Sequence, residues 1–506
     1  MTYASRARLL AFPLLLAVLV LAAPQAPAAD KDLLDVLREN GLITQAQYDR
    51  LIKKDVIVPT DILGEGKPDA PEETVARNTP DSGPGYSSAL AAQTSAPPTQ
   101  DYDDPAFIKK IADEVERNLP VKVSYGSKGF RMETADGNWQ TNLQWRAQTR
   151  FTYPFRSDPR QVSNFSGDSD ANFETRRMRM KIGGHGYQPW LKYYFEVDLQ
   201  PTRDTDDEAF ESSTRMLDWR IDVAKLDWAT LRVGQWKVDL NRERVDSSGR
   251  QQFVERSIAN RVFTIDRQMG VQLRGHLFQD TAADMRYFVG AFTGEGRGNS
   301  NDDDNLLYMG RLQWNFMGRD LSWRQTDVEF TDKPTGSLAF AAMTNEGRCT
   351  RWSSSGCGRL DGYTFPSFAE DGQYEIEQYV QEFAFKWRGF SAQQEYHWKT
   401  IEDNSNNTED DLTGGYAQVG YFFHNMFPAI PKQLEFAARY AVVEEPNATN
   451  RSFENKREEF TLGANWFIKG HNNKVTLDWS YLTLDDDLLG TDVSDGRFRL
   501  QWDVSF

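Results

Sequence analysis

Two stretches of this chain concentrate the side chains best suited to chemistry, and that chemistry is non-covalent. In FETRRMRMKIGG, residues 173–184, an extended backbone would put Arg177, Arg179 and Lys181 on one face. Arg176, Met178, Met180 and Ile182 fall on the other, where Arg176 reaches water by snorkelling or by sitting near a strand end. The second stretch is LRVGQWKVDLNRERVDSSGRQQFVERSIANRVFTIDRQMGVQL, residues 231–273, which holds Arg242, Arg244, Arg250, Arg256, Arg261 and Arg267. Guanidinium presents a fixed fork of donors that fits phosphate and carboxylate oxygens, and ladders of Arg and Lys select anions. The plainer alternative is that the cations of the first stretch pair across neighbouring strands with Glu174, Glu196 and Asp198.

Covalent chemistry finds little support. The five histidines, His185, His276, His397, His424 and His471, are scattered, and no serine motif accompanies them. No enzyme activity and no cofactor are expected. Cys349 and Cys357, with seven residues between them in CTRWSSSGC, read as a small loop disulfide in an exported chain. A zinc site would need two further ligands nearby, and none is evident.

The formal net charge of −17 makes nucleic acid an unsuitable partner. From Arg232 to Arg274, nine Lys/Arg against five Asp/Glu leave a local +4 inside an acidic chain. Mean hydropathy is −0.65, which rules out a bundle of membrane helices. Aromatics nevertheless make up 13% of the 506 residues. A polar average with many aromatics is what a sheet with one face to lipid and one to water produces.

The elements that position these cations are strands. From Val121 to the end the chain alternates. Leu143, Trp145, Ala147, Phe151 and Tyr153 oppose Gln144, Arg146, Gln148 and Arg150. Leu191, Tyr193, Phe195, Val197 and Leu199 oppose Lys192, Glu196 and Asp198. The closing RFRLQWDVSF sets Phe498, Leu500, Trp502, Val504 and Phe506 against Arg499, Gln501, Asp503 and Ser505. Charges on the polar side of nearly every strand fit a water-filled lumen better than a sandwich core. At about 24 residues per strand and connection, residues 121–506 make about sixteen antiparallel strands, an all-β transmembrane barrel of the outer membrane. Its last strand ends in an aromatic residue. The polar middle of residues 231–273, about 238–267, is too long for a tight turn, and folding inward it would narrow the pore and focus the field of its arginines.

Ahead of the barrel (120–506), residues 1–29 read as a secretory signal peptide, with Arg6 and Arg8 before the apolar run Leu9 to Ala23 and Ala26-Pro27-Ala28 for cleavage. Residues 30–58 read as a short helical hairpin, 59–104 as a flexible Pro/Ala/Ser-rich linker and 105–119 as an amphipathic helix. This extension is expected in the periplasm, where its helices would meet periplasmic partners or copies of themselves.

The motifs VGQWKVDLNRERVDSSGRQQFVERSIAN, RQMGVQL, FETRRMRMKIGG and WLKYYFEVDL, in that family's order and spacing, resemble the phosphate-selective porin O and P family. The resemblance runs from about Gly126 to Phe506 and, more loosely, through GLITQAQYDRL. It implies a homotrimer of sixteen-stranded barrels, in contact with outer-membrane lipid and lipopolysaccharide, that passes inorganic or small organic anions past an inserted third loop. It places Arg146, Arg176 and Arg177 in an arginine ladder, Lys192 on the next strand, and Arg244 and Arg256 in the inserted loop. The family match thus puts Arg176 in the pathway, against the period-two count. The expected anion pathway comprises Arg146, Arg176, Arg177, Arg179, Lys192, Arg242, Arg244, Arg250, Arg256 and Arg274. Arg at loop positions where Lys would be expected, and the acidic loops DTDDE, NDDDN and DDD, set the chain apart from phosphate-specific members.

Overall fold

A computed structural model describes residues 121–154, 171–200, 214–301 and 304–506, with Arg38, Gln45, Ala106 and Lys109 as isolated positions before them. The signal peptide, helical hairpin, linker and amphipathic helix expected over residues 1–119 lie outside the described residues. A hairpin of β1 (Val121–Gly126) and β2 (Gly129–Thr134) comes first. Then follow β3 (Gln140–Tyr153), β4 (Asn172–Gly186), β5 (Gln188–Asp198), β6 (Arg215–Leu226) and β7 (Ala229–Lys237). After a long connection come β8 (Arg267–Leu277), β9 (Met285–Phe292), β10 (Leu307–Trp314) and β11 (Thr335–Gly347). A loop hairpin, β12 (Arg351–Ser353) with β13 (Gly356–Gly358), precedes β14 (Tyr374–Trp387), β15 (Phe390–Asp403) and β16 (Thr408–Tyr421). The chain ends with β17 (Leu434–Pro446), β18 (Glu454–Phe467), β19 (Asn473–Asp486) and β20 (Thr491–Ser505).

Eighteen strands share one antiparallel sheet. Two of them, β1 and β2, pair only with each other and with the first residues of β3, leaving sixteen that close into a barrel. Closure joins β20 to β3, from Phe498 opposite Tyr153 to Ser505 opposite Arg146. One residue further on, the Phe506 amide donates to the Trp145 carbonyl at 3.0 Å and the Trp145 amide to the Phe506 carbonyl at 2.7 Å. The barrel proper thus starts at Gln140 rather than at residue 120, and the first hairpin extends its wall. No edge of the ring is left open, which removes the template an unpaired strand would offer.

Alternation decides which way each side chain points. On β20, Arg497, Arg499, Gln501 and Asp503 are buried inside while Phe498, Leu500 and Trp502 are exposed outside. On β18, Arg457, Glu459, Thr461 and Asn465 turn inward, and Phe460, Leu462 and Trp466 outward. The outer band of aromatic and aliphatic side chains is what a hydrocarbon layer requires, since only the closed ring satisfies every backbone group there. Among the described residues no helix is long and apolar enough to cross a membrane.

The lumen differs from a simple water-filled cylinder. Along β10–β20 its charges are buried in pairs, such as Arg311 with Glu382 at 2.5 Å, Arg439 with Glu459 at 2.9 Å and Arg499 with Asp478 at 2.8 Å. Two segments fill that side: the connection 238–266, and the long turn 315–334 at the opposite end of the barrel. The turn brings in Gln325, which accepts from the Gln252 amide at 2.7 Å, and Trp323, over which Arg311 stacks at 4.6 Å. The first segment is marked in the sequence by its polar, arginine-rich middle; the second carries no such mark.

Candidate functional site

Residues 238–266 leave β7 at the barrel end that carries the longer connections and fold into the lumen. They contain two short helical turns, α1 (Arg242–Val245) and α2 (Ala259–Phe263). Val238, Leu240, Ile258, Val262, Phe263 and Ile265 join one buried apolar cluster with inward residues of the wall such as Ile376, Val380, Ile401 and Tyr416. Glycines on the wall make room for it. A Cβ on Gly414 would lie 2.7 Å from the Phe263 ring, and one on Gly463 would lie 3.0 Å from Phe253.

Irregular backbone crossing a lumen must find partners for its N–H groups, and wall carboxylates supply them. Glu382 accepts from the Arg242 amide at 2.9 Å, Asp478 from Val254 at 2.9 Å and Glu459 from Ile258 at 3.0 Å. Within the loop, Glu243 accepts from the Ser257 amide and hydroxyl at 2.8 and 2.9 Å. Burial of a Phe, Val or Ile side chain stabilises by about 1.5–3 kcal/mol each, so the loop is a fixed inner wall rather than a flap.

What remains between this inner wall and strands β4–β6 is a neck of about 50 Å³. Arg176, Arg177, Arg179 and Arg215 line it from the strands; Lys237, Arg244, Arg256 and Arg267 line it from the loop and its two ends. Asp198 is the one carboxylate among its lining residues; Gln200, Ser248 and Ser354 complete it. Several of the cations have carboxylate partners. Arg179 meets Glu196 at 2.7 Å and Asp198 at 3.5 Å, Arg244 pairs with Asp266, Arg267 pairs with Asp218, and Arg176 and Arg177 meet Glu255 at 3.0 and 3.2 Å. Among the described residues, eight cations against Asp198, Glu196, Asp266, Asp218, Glu255 and Glu174 leave a net +2.

Lys237 and Arg256 are held by carbonyls instead. Lys237 donates to the Arg244 and Asp246 oxygens at 3.1 and 3.2 Å, and Arg256 to those of Glu243 and Asp246 at 2.8 and 2.7 Å. Burial first, and the neighbouring Arg244 second, push the Arg256 guanidinium down to about 10, which leaves it cationic at neutral pH. Burial pushes Asp266 up, but Arg244 and Arg267 outweigh it and hold the carboxyl below its usual range.

Among the described residues there are two wider chambers, and the first adjoins the neck. One, of about 690 Å³ on the short-turn side, shares Arg179 and Lys237 with it and mixes Lys181, Lys192, Arg250 and Arg274 with Asp222, Asp239, Tyr193, Tyr194 and Trp236. The other, of about 840 Å³ among the longer connections, is lined by Arg348, Arg351, Arg359 and Phe365 together with Glu295 and Asp361, beside the loop hairpin. Cys349 and Cys357 are joined in that hairpin, with Sγ–Sγ at 2.04 Å, so their proximity to Glu295 is no metal set.

The expected pathway residues divide into groups. Arg177, Arg179, Arg244 and Arg256 face the neck; Lys192, Arg250 and Arg274 face the 690 Å³ chamber. Arg176 also faces the neck, and the reason is a bulge. Gln148 pairs with Arg177 and the next residue, Thr149, pairs with Thr175, so Arg176 is the extra residue and the alternation slips by one. Both adjacent arginines therefore turn inward. Arg146 is 3% exposed and braces the loop, donating to the Ser248 hydroxyl at 3.1 Å and meeting Asp503 at 3.4 Å. Arg242 is withdrawn from water altogether: it is 1% exposed, donates to the Ser322 carbonyl at 2.7 Å and lies over Trp323. Arg215, Lys237 and Arg267 line the neck without belonging to the expected pathway set. Lys237 stood inside the VGQWK motif; Arg215 follows a connection from which no register can be counted.

The family model of the phosphate-selective porin O and P matches residues 150–502. No curated protein matches the chain. Among solved structures, the outer membrane channel DcaP of Acinetobacter baumannii is 11% identical with a TM-score of 0.47, covering 72% of this chain and 97% of its own. An anion-selective porin from Comamonas acidovorans is 10% identical with a TM-score of 0.46, covering 72% and 99%. Salmonella typhi OmpF, in complex with daunomycin, is 12% identical with a TM-score of 0.48, covering 73% and 98%.

Proposed function

The chain belongs to the phosphate-selective porin O and P family, whose members are outer-membrane porins, and from that premise we propose that it is a passive anion pore. The observation that carries the proposal is the neck itself, with eight cations among its lining residues against one carboxylate. Every strong hydrogen-bonding group of those cations is a donor. A permeant must therefore be rich in acceptors and negatively charged, as phosphate, polyphosphate and carboxylates are. Binding at such a site has to attract the ion and still release it. In this reading the short turns face the periplasm and the longer connections the exterior, and the molecule works as a homotrimer.

A second reading within the same class is a pore for larger organic anions. It is favoured by the 690 Å³ chamber, where Arg220 lies 4.5 Å over Tyr194 and Arg232 5.5 Å over Trp236, surfaces suited to a flat or hydroxylated solute. Reversal potentials across a planar bilayer in a potassium chloride gradient test the common claim, and a cation preference would refute it. Block of chloride current by phosphate, pyrophosphate and dicarboxylates separates the two readings.

A further inference from the structure

Two arginines of the neck already hold an anion from beside it. Glu255 Oε1 accepts from Arg150 Nη2 at 2.8 Å, Arg176 Nε at 3.0 Å and Arg177 Nη2 at 3.2 Å, and Oε2 from Arg177 Nη2 at 3.3 Å. Glu174 stands behind at 3.7 Å from Arg150 and 3.9 Å from Arg176. The bulge at Arg176 makes this grip possible, because it turns two adjacent guanidiniums to one side.

Three features distinguish Glu255 from the other carboxylates of the loop. Its side chain is 18% exposed, whereas those of Asp239, Glu243 and Asp266 are 4%, 1% and 0% exposed, and Asp246 as a whole residue is 3% exposed. Its backbone is anchored independently of the carboxylate. The Val254 amide donates to Asp478 at 2.9 Å and Arg439 donates to the Glu255 carbonyl at 3.0 Å, so the side chain can swing away while the loop stays. Of its three partners among the described residues, Arg176 and Arg177 line the neck.

We propose that Glu255 is a tethered competitor for permeating anions: its carboxylate occupies the arginines of β3 and β4 when the neck is empty, and a permeant anion passes by displacing it. The inference rests on the anion-pore reading and adds how release is achieved. An uncompensated guanidinium cluster would hold an oxyanion and block flow. A short tether presents its carboxylate at an effective concentration of the order of millimolar or above. That competition keeps the site weak for any anion with carboxylate-like or phosphate-like oxygens.

The test compares the parent pore with E255Q and E255D, using chloride and inorganic phosphate as probes. Conductance is recorded against anion concentration, and folding is checked by circular dichroism and thermal unfolding. Gln keeps the shape and an acceptor oxygen but loses the charge. The half-saturating concentration should fall by about tenfold or more in E255Q, with a lower limiting current, and stay within about twofold of the parent in E255D. Should E255Q fail to fold, E255S serves in its place. Unchanged saturation in E255Q, or equal shifts in E255Q and E255D, would reduce Glu255 to a brace and overturn the inference. A cation-selective parent would instead sink the anion-pore reading itself, and that outcome is read before any variant is made.

Discussion

Replacing Arg215 by Gln is the cleanest removal of charge from the neck. Arg215 lines it and, among the described residues, makes no side-chain hydrogen bond or ion pair, so little besides its charge is lost. At about 6 Å from a passing ion, one charge contributes about 0.7 kcal/mol if the neck responds like water and about 2.8 kcal/mol at an effective dielectric of about 20. Screening at 0.1 M salt removes roughly half of that, so anion occupancy should fall by about two- to tenfold. Cations gain by the same factor. In a tenfold salt gradient, where an ideal anion pore reverses at about 59 mV, the potential for R215Q should move toward zero by about 15 mV or more. R215K, which keeps the charge, should stay near the parent. An R215Q channel with the parent's reversal potential would refute the idea that the net positive charge at this point selects the ion.

Three other outcomes follow from the packing and charge of the inserted loop and the wall. In G414V the new side chain collides with Phe263 and with the Val442 carbonyl, each 2.7 Å from where its Cβ would stand. The loop should then shift, raising single-channel conductance and lowering selectivity, and a parent-like current would contradict the tight fit. Burial pushes the Glu243 and Asp246 carboxyls above their usual range, so acidification neutralises them before ordinary carboxylates while the guanidiniums stay charged. Anion preference should therefore rise as pH falls from 7 toward 4, and reversal potentials that stay flat or move toward zero would contradict this. L500R puts a charge in the outer apolar band between Phe498 and Trp502 and should cost about 2–4 kcal/mol in denaturant unfolding from lipid, depending on depth.

The barrel was legible because its signal has a fixed period. A strand exposes one face to lipid and one to the interior, and the alternation along β15, β18 and β20 states both faces without reference to any other part of the chain. The inserted loop was legible for a related reason, since its polar, arginine-rich middle broke that period. The turn 315–334 was not read, because Leu321, Trp323, Gln325 and Thr326 have no periodicity and acquire their place only against Arg242, Gln251 and the apposed wall. The period also failed at Arg176. A bulge inserts one residue opposite none, and nothing in FETRRMRMKIGG marks where β3 will skip. Arg242 failed differently: its type suits an anion path, but its burial is set by Trp323 and Ser322, some 80 residues further along the chain.

Arg242 and the arginines of the neck differ in role for one physical reason. A lumen filled on the β10–β20 side offers its arginines carboxylates and carbonyls, and there a guanidinium is worth most as a crosslink: Arg439 ties Glu459 to the Glu255 carbonyl, and Arg311 ties Glu382 to the Leu240 carbonyl. On the β4–β6 side a gap stays open between loop and wall, and the guanidiniums there line it even where they keep a carboxylate partner. Whether an arginine selects ions or holds the protein together is thus decided by which wall the loop leans on. The apolar cluster around Phe263 and Val262 determines that lean. Selectivity in this pore therefore depends on hydrophobic packing that never touches an ion, and a change at Gly414 should alter reversal potentials as surely as a change at Arg215.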